Sequence, residues 1–250
     1  MTAALETVGL SRRFGALVVA NDVRFILEAG ARHALIGPNG AGKTTFVNLV
    51  TGRLRPSAGR ILLNGTDITA LSQAQRVHQG LARTFQINTL FRGLSVLENV
   101  SLAVAEQAGI GNRMLRKGRA NRGVVEGAFA LLERLRLADD ALVPVHTLPY
   151  GKQRLVEIAI ALGLNPSVLL LDEPAAGVPS VETRIILDVI EQLPDSIAIL
   201  IIEHDMDLVF RFARRITVMV QGGILVEGTS AEIAADARVR EVYLGERQHG

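Results

Sequence analysis

The chain has no cysteine, and aromatic residues make up only 4% of its 250 residues. The absence of cysteine excludes a disulfide framework. The hydrophobic content of 48% is nevertheless high enough for a sizeable core. A chain of this length is expected to form either one large domain or one domain with an inserted lobe.

Long apolar segments and a strong excess of charge are also missing. The longest purely apolar runs, such as residues 197–202, are far shorter than a membrane span. Residues 1–10 lack the basic start and apolar centre of a signal peptide. We therefore expect a soluble, cytoplasmic protein that reaches a membrane only through a partner or its own surface. The net charge of +2, from 27 basic and 25 acidic residues, does not favour nucleic acid as a ligand.

The most informative segment is the octapeptide Gly-Pro-Asn-Gly-Ala-Gly-Lys-Thr at residues 37–44, which is a complete phosphate-binding loop. Its glycines let consecutive backbone N–H groups turn inward, where a side chain would block the phosphate. Lys43 supplies a compact cation for the β- and γ-phosphates, and Thr44 offers a hydroxyl to Mg²⁺. The candidate ATP-binding residues in and beside the loop are Gly37, Pro38, Asn39, Gly40, Ala41, Gly42, Lys43, Thr44 and Thr45.

The flanks of the loop agree with this interpretation. Residues 32–36 suit a buried strand, and residues 45–49 suit the opening of a helix. A strand, a glycine turn and a helix N-terminus in succession form an anion-binding site, because the first backbone N–H groups of the helix point at the ligand.

Two acids follow an apolar run further along the chain. Residues 168–171 are Val-Leu-Leu-Leu, which suits a central parallel strand, and Asp172 and Glu173 come next. A buried strand that ends in an acid places the carboxylate beside the phosphates, at the carboxyl edge of the sheet. Asp172 is then expected to hold Mg²⁺ through water, and Glu173 to orient and deprotonate the attacking water. The alternative is an acid that only caps the following helix.

Three further candidates have ordinary structural explanations of their own. His204 follows the apolar run at residues 198–202, so it leaves a strand at the same sheet edge and is placed to touch the γ-phosphate. Its alternative is a surface or core imidazole. Phe14 is either a core residue or a ring that stacks on adenine. By its sequence context alone, Gln86 is not distinguishable from an ordinary polar loop residue.

The apolar pattern also predicts how the chain is organised. Strands are predicted at residues 5–10, 23–27 and 60–63, the last ended by the turn signal Asn64-Gly65. Residues 94–163 contain predicted helices at 96–107, 124–137 and 151–163 and are interpreted as a helical lobe inserted between two α/β portions. The remaining elements are a helix at 181–193, a strand at 198–202, a hairpin of 216–220 with 224–226 around Gly222-Gly223, and a helix at 237–244.

These motifs come in the order and spacing of an ATP-binding cassette (ABC) ATPase, which the chain resembles over essentially its whole length. More narrowly, it is similar to the longer of the two ATPase subunits of branched-chain amino acid uptake transporters. The segments that carry the narrower resemblance are Arg13-Phe14-Gly15, Tyr150-Gly151, Glu173-Pro174-Ala175-Ala176-Gly177, Ile202-Glu203-His204-Asp205-Met206 and Val242-Tyr243-Leu244-Gly245-Glu246.

The resemblance implies a P-loop NTPase fold of the α/β class, with a mainly parallel core sheet, an N-terminal antiparallel β portion and the inserted helical lobe. It implies that Phe14 stacks on adenine and that His204 contacts the γ-phosphate. Gln86 is implied to reach Mg²⁺ and the water, and to relay the nucleotide state to membrane subunits. Family members bind ATP between two domains that face head to tail, so Tyr150, Gly151 and Lys152 of the signature segment are implied to face the partner's phosphate loop.

Two prolines depart from the pattern of the family. Pro149 stands where the wider family has serine, and it offers neither a hydroxyl nor a backbone N–H to the partner's γ-phosphate. Pro179 stands where the family usually has Asp or Asn. Both changes fall on surfaces that serve the opposing subunit, while the chain's own loop, acids and histidine are intact. We therefore expect a heterodimer with a second ATPase, the alternative being a homodimer in which the backbone and Lys152 compensate.

A run of five basic residues lies in the predicted helical lobe at residues 113–122. It is interpreted either as a solvated loop or as a surface that faces anionic lipid headgroups.

The function expected from the whole pattern is Mg²⁺-dependent ATP hydrolysis that powers an importer through membrane permease subunits, with branched-chain or other amino acids as the solute. Two alternatives are a soluble ABC ATPase that acts on nucleic acid or ribosomes, and an ATP-gated interaction protein without useful turnover. The absence of a long heptad arm or a second cassette argues against the first, and Glu173 with His204 argues against the second.

Overall fold

A computed structural model describes residues 2–84, 90–110 and 120–246 of the chain. The chain divides into two compact units, one formed by residues 1–81 and 194–250 and the other by residues 82–193. The predicted helical lobe at 94–163 lies within the second unit, and its extent stays a prediction. Gln86 and residues 113–119 of the basic run lie outside the described residues.

The elements follow one another in a strand-rich N-terminal part, a helical middle and an alternating α/β remainder. In chain order they are β1 (Ala3–Phe14), β2 (Leu17–Glu28), β3 (Arg32–Ile36), α1 (Lys43–Val50), β4 (Ala58–Leu63), β5 (Thr66–Asp67), α2 (Gln73–His78), β6 (Leu81–Arg83), α3 (Val96–Gln107), α4 (Ala120–Arg134), α5 (Tyr150–Gly163), β7 (Val168–Asp172), α6 (Ser180–Glu191), β8 (Ala198–Ile202), α7 (Met206–Phe212), β9 (Arg215–Val220), β10 (Gly223–Gly228), α8 (Ser230–Ala235) and α9 (Ala237–Glu246).

An antiparallel sheet in the first unit has the strand order β2-β1-β4-β5. Its central strand β1 pairs with β2 on one side and with β4 on the other, so Leu5 faces both Leu27 and Leu63. All three leucines are buried, which gives this sheet one apolar face. Asn64 and Gly65, with φ of 49° and 79°, form the predicted turn after β4. The predicted antiparallel β portion is thereby confirmed.

The second sheet of the first unit contains the strands in the order β10-β9-β3-β8. Strand β3 runs parallel to both β8 and β9, and every residue of β3 and β8 is buried. Burial on both faces explains why β8 is a continuous apolar run rather than an alternating one. Leu35 pairs with Ile202, so β3 and β8 end at the same edge. The β9–β10 hairpin turns at Gln221 and Gly222, one residue earlier than predicted.

The second unit joins the short strand pair β6 and β7 with helices α3 to α6. Helix α3 begins at Val96, as predicted, because Ser95 and Glu98 form a capping box. Helix α4 ends three residues earlier than predicted, at Arg134, because Arg136 adopts a left-handed φ of 58° and stops the helix.

The elements that the pattern did not predict are the short ones, β5, β6, α2, α7 and α8. Each spans between two and seven residues, which is too few for a period to be recognised. Within residues 2–84, 90–110 and 120–246, no helix has both the length and the hydropathy needed to cross a membrane.

A buried histidine lies in β3, the strand that leads into the phosphate loop. The Nε2 atom of His33 lies 2.8 Å from the Thr217 hydroxyl, and its ring packs edge-on against Phe25 at 5.1 Å between centroids. Burial lowers the pKa of His33 to about 4, while the charge of Glu227 acts in the opposite direction and that of Arg215 in the same direction. The folded state therefore favours the neutral imidazole.

We expect His33 to make the protein less stable in mild acid. The ordinary pKa of 6.5 lies above the folded value of about 4, so between these pH values the unfolded chain binds a proton that the folded chain does not. The free energy of unfolding should therefore fall, by up to about 3 kcal/mol, as the pH is lowered through this window. Urea denaturation of His33→Gln should show a shallower dependence on pH than the wild type. Equal slopes for the wild type and His33→Gln would contradict the prediction.

Candidate nucleotide-binding site

The phosphate loop is shaped by how closely other backbone segments approach it. A Cβ atom on Gly37 would overlap the carbonyl oxygen of Met219 in β9. A Cβ atom on Gly42, whose φ is 101°, would lie 3.0 Å from the carbonyl oxygen of Val19 and 3.1 Å from Cα of Gly222. Only glycine fits at these two positions, both because of φ and because the space is already filled by main chain.

Three backbone hydrogen bonds hold the loop in this shape. The Ala41 N–H donates to the Pro38 carbonyl at 3.1 Å, which closes a turn within the loop. The Gly222 N–H donates to the Ala41 carbonyl at 2.9 Å, and the Asn21 N–H donates to the Gly222 carbonyl at 2.9 Å. The sequence identifies Gly222 only as a turn residue, because no local pattern shows that the β9–β10 hairpin contacts the phosphate loop.

Lys43 and the start of α1 make the loop favourable for an anion. The Lys43 ammonium donates to the carbonyl oxygens of Gly37 and Pro38, the latter at 3.0 Å, so the cation lies within the curve of the loop. Helix α1 begins at Lys43 with no acid in its first turn and no side-chain cap. Thr44 is exposed and Thr45 half-buried. A cation, a helix N-terminus and an accessible hydroxyl therefore lie within three residues of chain.

The other end of α1 is fixed by a buried arginine that sequence reasoning did not identify. The Arg76 guanidinium donates to the carbonyls of Leu49 and Val50, at 2.7 and 2.6 Å, and to that of Thr69 at 2.8 Å. Burial lowers the pKa of Arg76, which Asp67 partly offsets. A cation at the carboxyl end of a helix is favourable, so Arg76 anchors the helix that carries the loop.

His204 lies at the sheet edge where the phosphate loop begins. Because Leu35 of β3 pairs with Ile202 of β8, the residues after both strands emerge together. The His204 side chain is 68% exposed, and its Nδ1 lies 3.9 Å from a carboxylate oxygen of the buried Glu203. An exposed imidazole beside a buried acid can act as a hydrogen-bond donor to a phosphate.

Phe14 is an exposed aromatic ring at the end of β1. It is 48% exposed, and the Arg12 guanidinium carbon lies 4.4 Å from its centroid. The alternative of a core phenylalanine is therefore wrong. An exposed ring that carries a cation on its face is compatible with base stacking.

In the second unit, Asp172 ends β7 as a buried carboxylate. Its Oδ2 accepts a hydrogen bond from the Arg83 guanidinium, and both side chains are under 10% exposed. The Asp172 N–H donates to the Thr84 hydroxyl at 3.4 Å, and the Thr84 N–H donates to the Leu170 carbonyl at 3.0 Å. The carboxylate is thus fixed by the guanidinium of Arg83, and the backbone of Asp172 is fixed by Thr84 at the end of β6.

Glu173 has an unusual backbone conformation. Its φ is +46°, in the left-handed region that residues other than glycine and asparagine seldom adopt. The Glu173 carbonyl accepts from the Ala176 N–H at 3.1 Å, so the chain turns directly after β7. Strain of this kind persists where the surroundings impose it, and it is typical of functional sites.

The signature segment forms the start of α5, and its predicted donors have partners within the second unit. Pro149 is the N-cap residue, with no side-chain cap. The Gly151 N–H donates to a carboxylate oxygen of Glu182 at 2.9 Å, and the Lys152 ammonium to Asp140 at 2.7 Å. Tyr150 is 40% exposed.

The predicted site residues therefore fall into three groups. The loop residues 37–45, Phe14 and His204 belong to the first unit, while Asp172, Glu173 and the signature residues belong to the second. Gln86 lies outside the described residues. The oxygen donors of Thr44 and Asp172 are of the type that Mg²⁺ prefers, and the curve of the loop with Lys43 suits a polyphosphate.

A glycine turn between a buried parallel strand and a helix defines a phosphate-loop nucleotide-binding fold of the α/β class, as predicted. The family model for ABC transporters matches residues 20–176, and a model described as a branched-chain amino acid ATP-binding cassette transporter matches residues 224–249. The chain belongs to the ABC transporter family.

Individual relatives agree with this assignment. The chain is 39% identical to the high-affinity branched-chain amino acid transport ATP-binding protein LivG of Escherichia coli, covering 97% of this chain and 98% of LivG. It is 38% identical to BraF of Pseudomonas aeruginosa, with the same coverage. A nucleotide-free ATP-binding cassette from an ABC transporter superposes with a TM-score of 0.84 at 31% identity, covering 97% of this chain and 99% of that one. An ABC cassette in its ADP conformation gives 0.85 at 32%, covering 98% and 100%. The predicted ABC ATPase fold is confirmed.

The Arg83–Asp172 pair is expected to be strongly coupled in its effect on stability. Arg83→Met leaves a buried carboxylate without its cation, which costs about 3–5 kcal/mol. The double variant Arg83→Met/Asp172→Asn should lose less than the sum of the single variants, with a coupling of about 1–3 kcal/mol in urea denaturation. The exposed pair Arg122–Glu126 is the matched control, and its coupling should stay below about 1 kcal/mol. Additive losses at both pairs would contradict the prediction.

The left-handed φ of Glu173 predicts an unusual order of variant stabilities. Glu173→Gly should be more stable than Glu173→Ala by about 1 kcal/mol, because glycine alone adopts this conformation without strain. At Glu126, an exposed residue inside α4, the order should reverse by about the same amount, since glycine weakens a helix. Thermal unfolding of the four variants measures both differences. A more stable Ala variant at position 173 would show that no strain is held there.

Proposed function

We propose that this chain is the ATP-binding and ATP-hydrolysing subunit that powers an ABC importer for branched-chain or other amino acids. The observation that carries the proposal is the shape of the phosphate loop. Main chain fills the space beside Gly37 and Gly42, and the Lys43 ammonium lies within the curve of the loop. Such a loop has no evident use except to bind phosphate groups. The relatedness to LivG and BraF, whose names describe branched-chain amino acid transport, supports the solute class.

The loop residues are proposed to bind the nucleotide. Backbone N–H groups of the loop surround the phosphates, except at Pro38, which has none, and at Ala41, whose N–H is bound within the loop. Lys43 contacts the β- and γ-phosphates, and Phe14 stacks on adenine. Thr44 and Asp172 would hold Mg²⁺, together with Gln86. When bound, Mg²⁺ supplies charge that stabilises the transferring phosphoryl group.

The hydrolytic roles are proposed for three side chains. Glu173 orients the attacking water and accepts its proton. His204 donates a hydrogen bond to the γ-phosphate, and its exposure at the edge of β3 and β8 supports that role. Gln86 is proposed to contact the same water and to relay the nucleotide state to membrane subunits.

The partners are proposed to be integral membrane permease subunits and a second ABC ATPase, in a heterodimer. The chain would then lie on the inner face of the cell membrane and be held there by the permeases. The proline at position 149, which leaves α5 without a side-chain cap, supports unequal subunits because it removes a donor from the surface that serves the partner.

Replacing Lys43 tests the proposal most directly. Lys43→Ala should weaken ATP binding by about tenfold or more, since a hydrogen bond to a charged group contributes about 1.5–3 kcal/mol, and it should abolish phosphate release. Isothermal titration calorimetry with Mg²⁺ and a phosphate-release assay measure the two effects. Arg24→Ala, which removes an exposed cation from the same unit, is the control and should leave both unchanged. Unaltered ATP binding by Lys43→Ala would contradict the site.

A further inference from the structure

A carboxylate of the chain itself is bound at the N-terminus of α5. Oε2 of Glu182 accepts the Gly151 N–H at 2.9 Å, and a Cβ atom on Gly151 would overlap this carboxylate. Glu182 is the third residue of α6, so it also lies in the first turn of its own helix. It therefore lies at the N-termini of two helices at once, the positions at which acidic side chains are favoured.

The proline N-cap of α5 explains why its first N–H groups need a carboxylate from another helix. Both α5 and α6 have proline as N-cap, Pro149 and Pro179, and neither helix has a side-chain cap. A serine, threonine or aspartate at the N-cap would satisfy the first N–H groups locally, and proline offers no such group. Glu182 takes over this task for α5 from a position 31 residues away.

The same N–H group has a second expected ligand. The family resemblance implies that Gly151 faces the γ-phosphate held by the phosphate loop of a second subunit, and the present inference rests on the proposed function as an ATPase paired with a second ATPase. A carboxylate and a phosphate are both anions and require the same donor. Like charges placed close together in an interface oppose association.

We propose that Glu182 is a specificity-determining residue that competes with the partner's γ-phosphate for the start of α5. The competition makes this chain the weaker contributor of a signature segment. The signature segment of this chain then binds weakly to ATP held by a second copy of the chain. The stronger ATP site between two subunits is the one in which this chain supplies the phosphate loop and another ATPase supplies the signature segment.

The surroundings of Glu182 fit a displaceable carboxylate. Lys152 does not neutralise it, because the Lys152 ammonium is bound to Asp140 at 2.7 Å. A cavity of about 370 Å³ borders Glu182 and is lined by Arg136, Leu155, Ile185 and Ile186, among others. The side chain therefore has room to withdraw towards the cationic Arg136 when phosphate displaces it.

The test measures ATP-dependent self-association of the full chain. In a Glu173→Gln background, which suppresses turnover, Glu182→Gln keeps an oxygen acceptor for Gly151 and removes the charge. Sedimentation equilibrium with ATP and Mg²⁺ should show dimers at a protein concentration about tenfold lower than for Glu173→Gln alone. Glu182→Ala, which also frees the N–H, should have at least the same effect. Glu191→Gln, at the other end of α6, changes the net charge equally and should leave association as it was.

The other outcomes separate this inference from the proposed function. Calorimetric ATP binding by the monomer depends on the phosphate loop and is expected to be equal in all these proteins. If all bind ATP and the two Glu182 variants dimerise no better than the Glu191 control, the inference is overturned while the ATPase assignment stands. Tight dimers of the Glu173→Gln protein alone overturn it as well. If no protein binds ATP, the proposed function fails and the inference fails with it.

Discussion

The phosphate loop of the first unit depends on two positions, 37 and 42, at which neighbouring main chain leaves no room for a side chain. At the end of β3 the main chain approaches Met219 so closely that a Cβ atom on Gly37 would overlap its carbonyl oxygen, and Gly42 is confined in the same way by Val19 and Gly222. Packing of backbone against backbone fixes the curve of the loop, and the curve in turn directs the Lys43 ammonium and the first N–H groups of α1 inward. The loop thus has its curved shape before any ligand arrives, and such preorganisation lowers the entropic cost of binding.

The parts of the molecule that the sequence predicts are those whose information is local. An eight-residue motif predicts the loop, a continuous apolar run predicts β8, and the apolar pattern predicts α3 over residues 96–107. The contacts that escaped prediction join distant segments. Arg83 and Asp172 are 89 residues apart, and Gly222 meets the loop only after the β9 hairpin has folded against β3. No period or spacing encodes such contacts, because they follow from the order of strands in a sheet.

The two adjacent acids of the second unit, Asp172 and Glu173, are held in position in different ways. The buried carboxylate of Asp172 is held by the Arg83 guanidinium, and the Asp172 N–H donates to the Thr84 hydroxyl, so both side chain and backbone are fixed at the end of β6. Glu173, the next residue, is held instead by its backbone, whose left-handed φ of 46° turns the chain away from β7. Two adjacent acids therefore have separate supports. This separation is compatible with the proposed division of roles, in which Asp172 holds the metal and Glu173 acts on the water.

Glu182 offers a structural reason why Pro149 and Pro179 favour a pair of unequal subunits. A proline N-cap is compatible with a helix start, but it leaves the first N–H groups without a local acceptor. Such groups need an acceptor from elsewhere, and in this chain a carboxylate from the first turn of α6 accepts from one of them. What stabilises the isolated subunit thereby opposes its contact with a partner's phosphate. In a homodimer this conflict would occur at both ATP sites. Under the proposed competition, a heterodimer would confine the conflict to one site, because the second ATPase would supply its own signature segment to the phosphate loop of this chain.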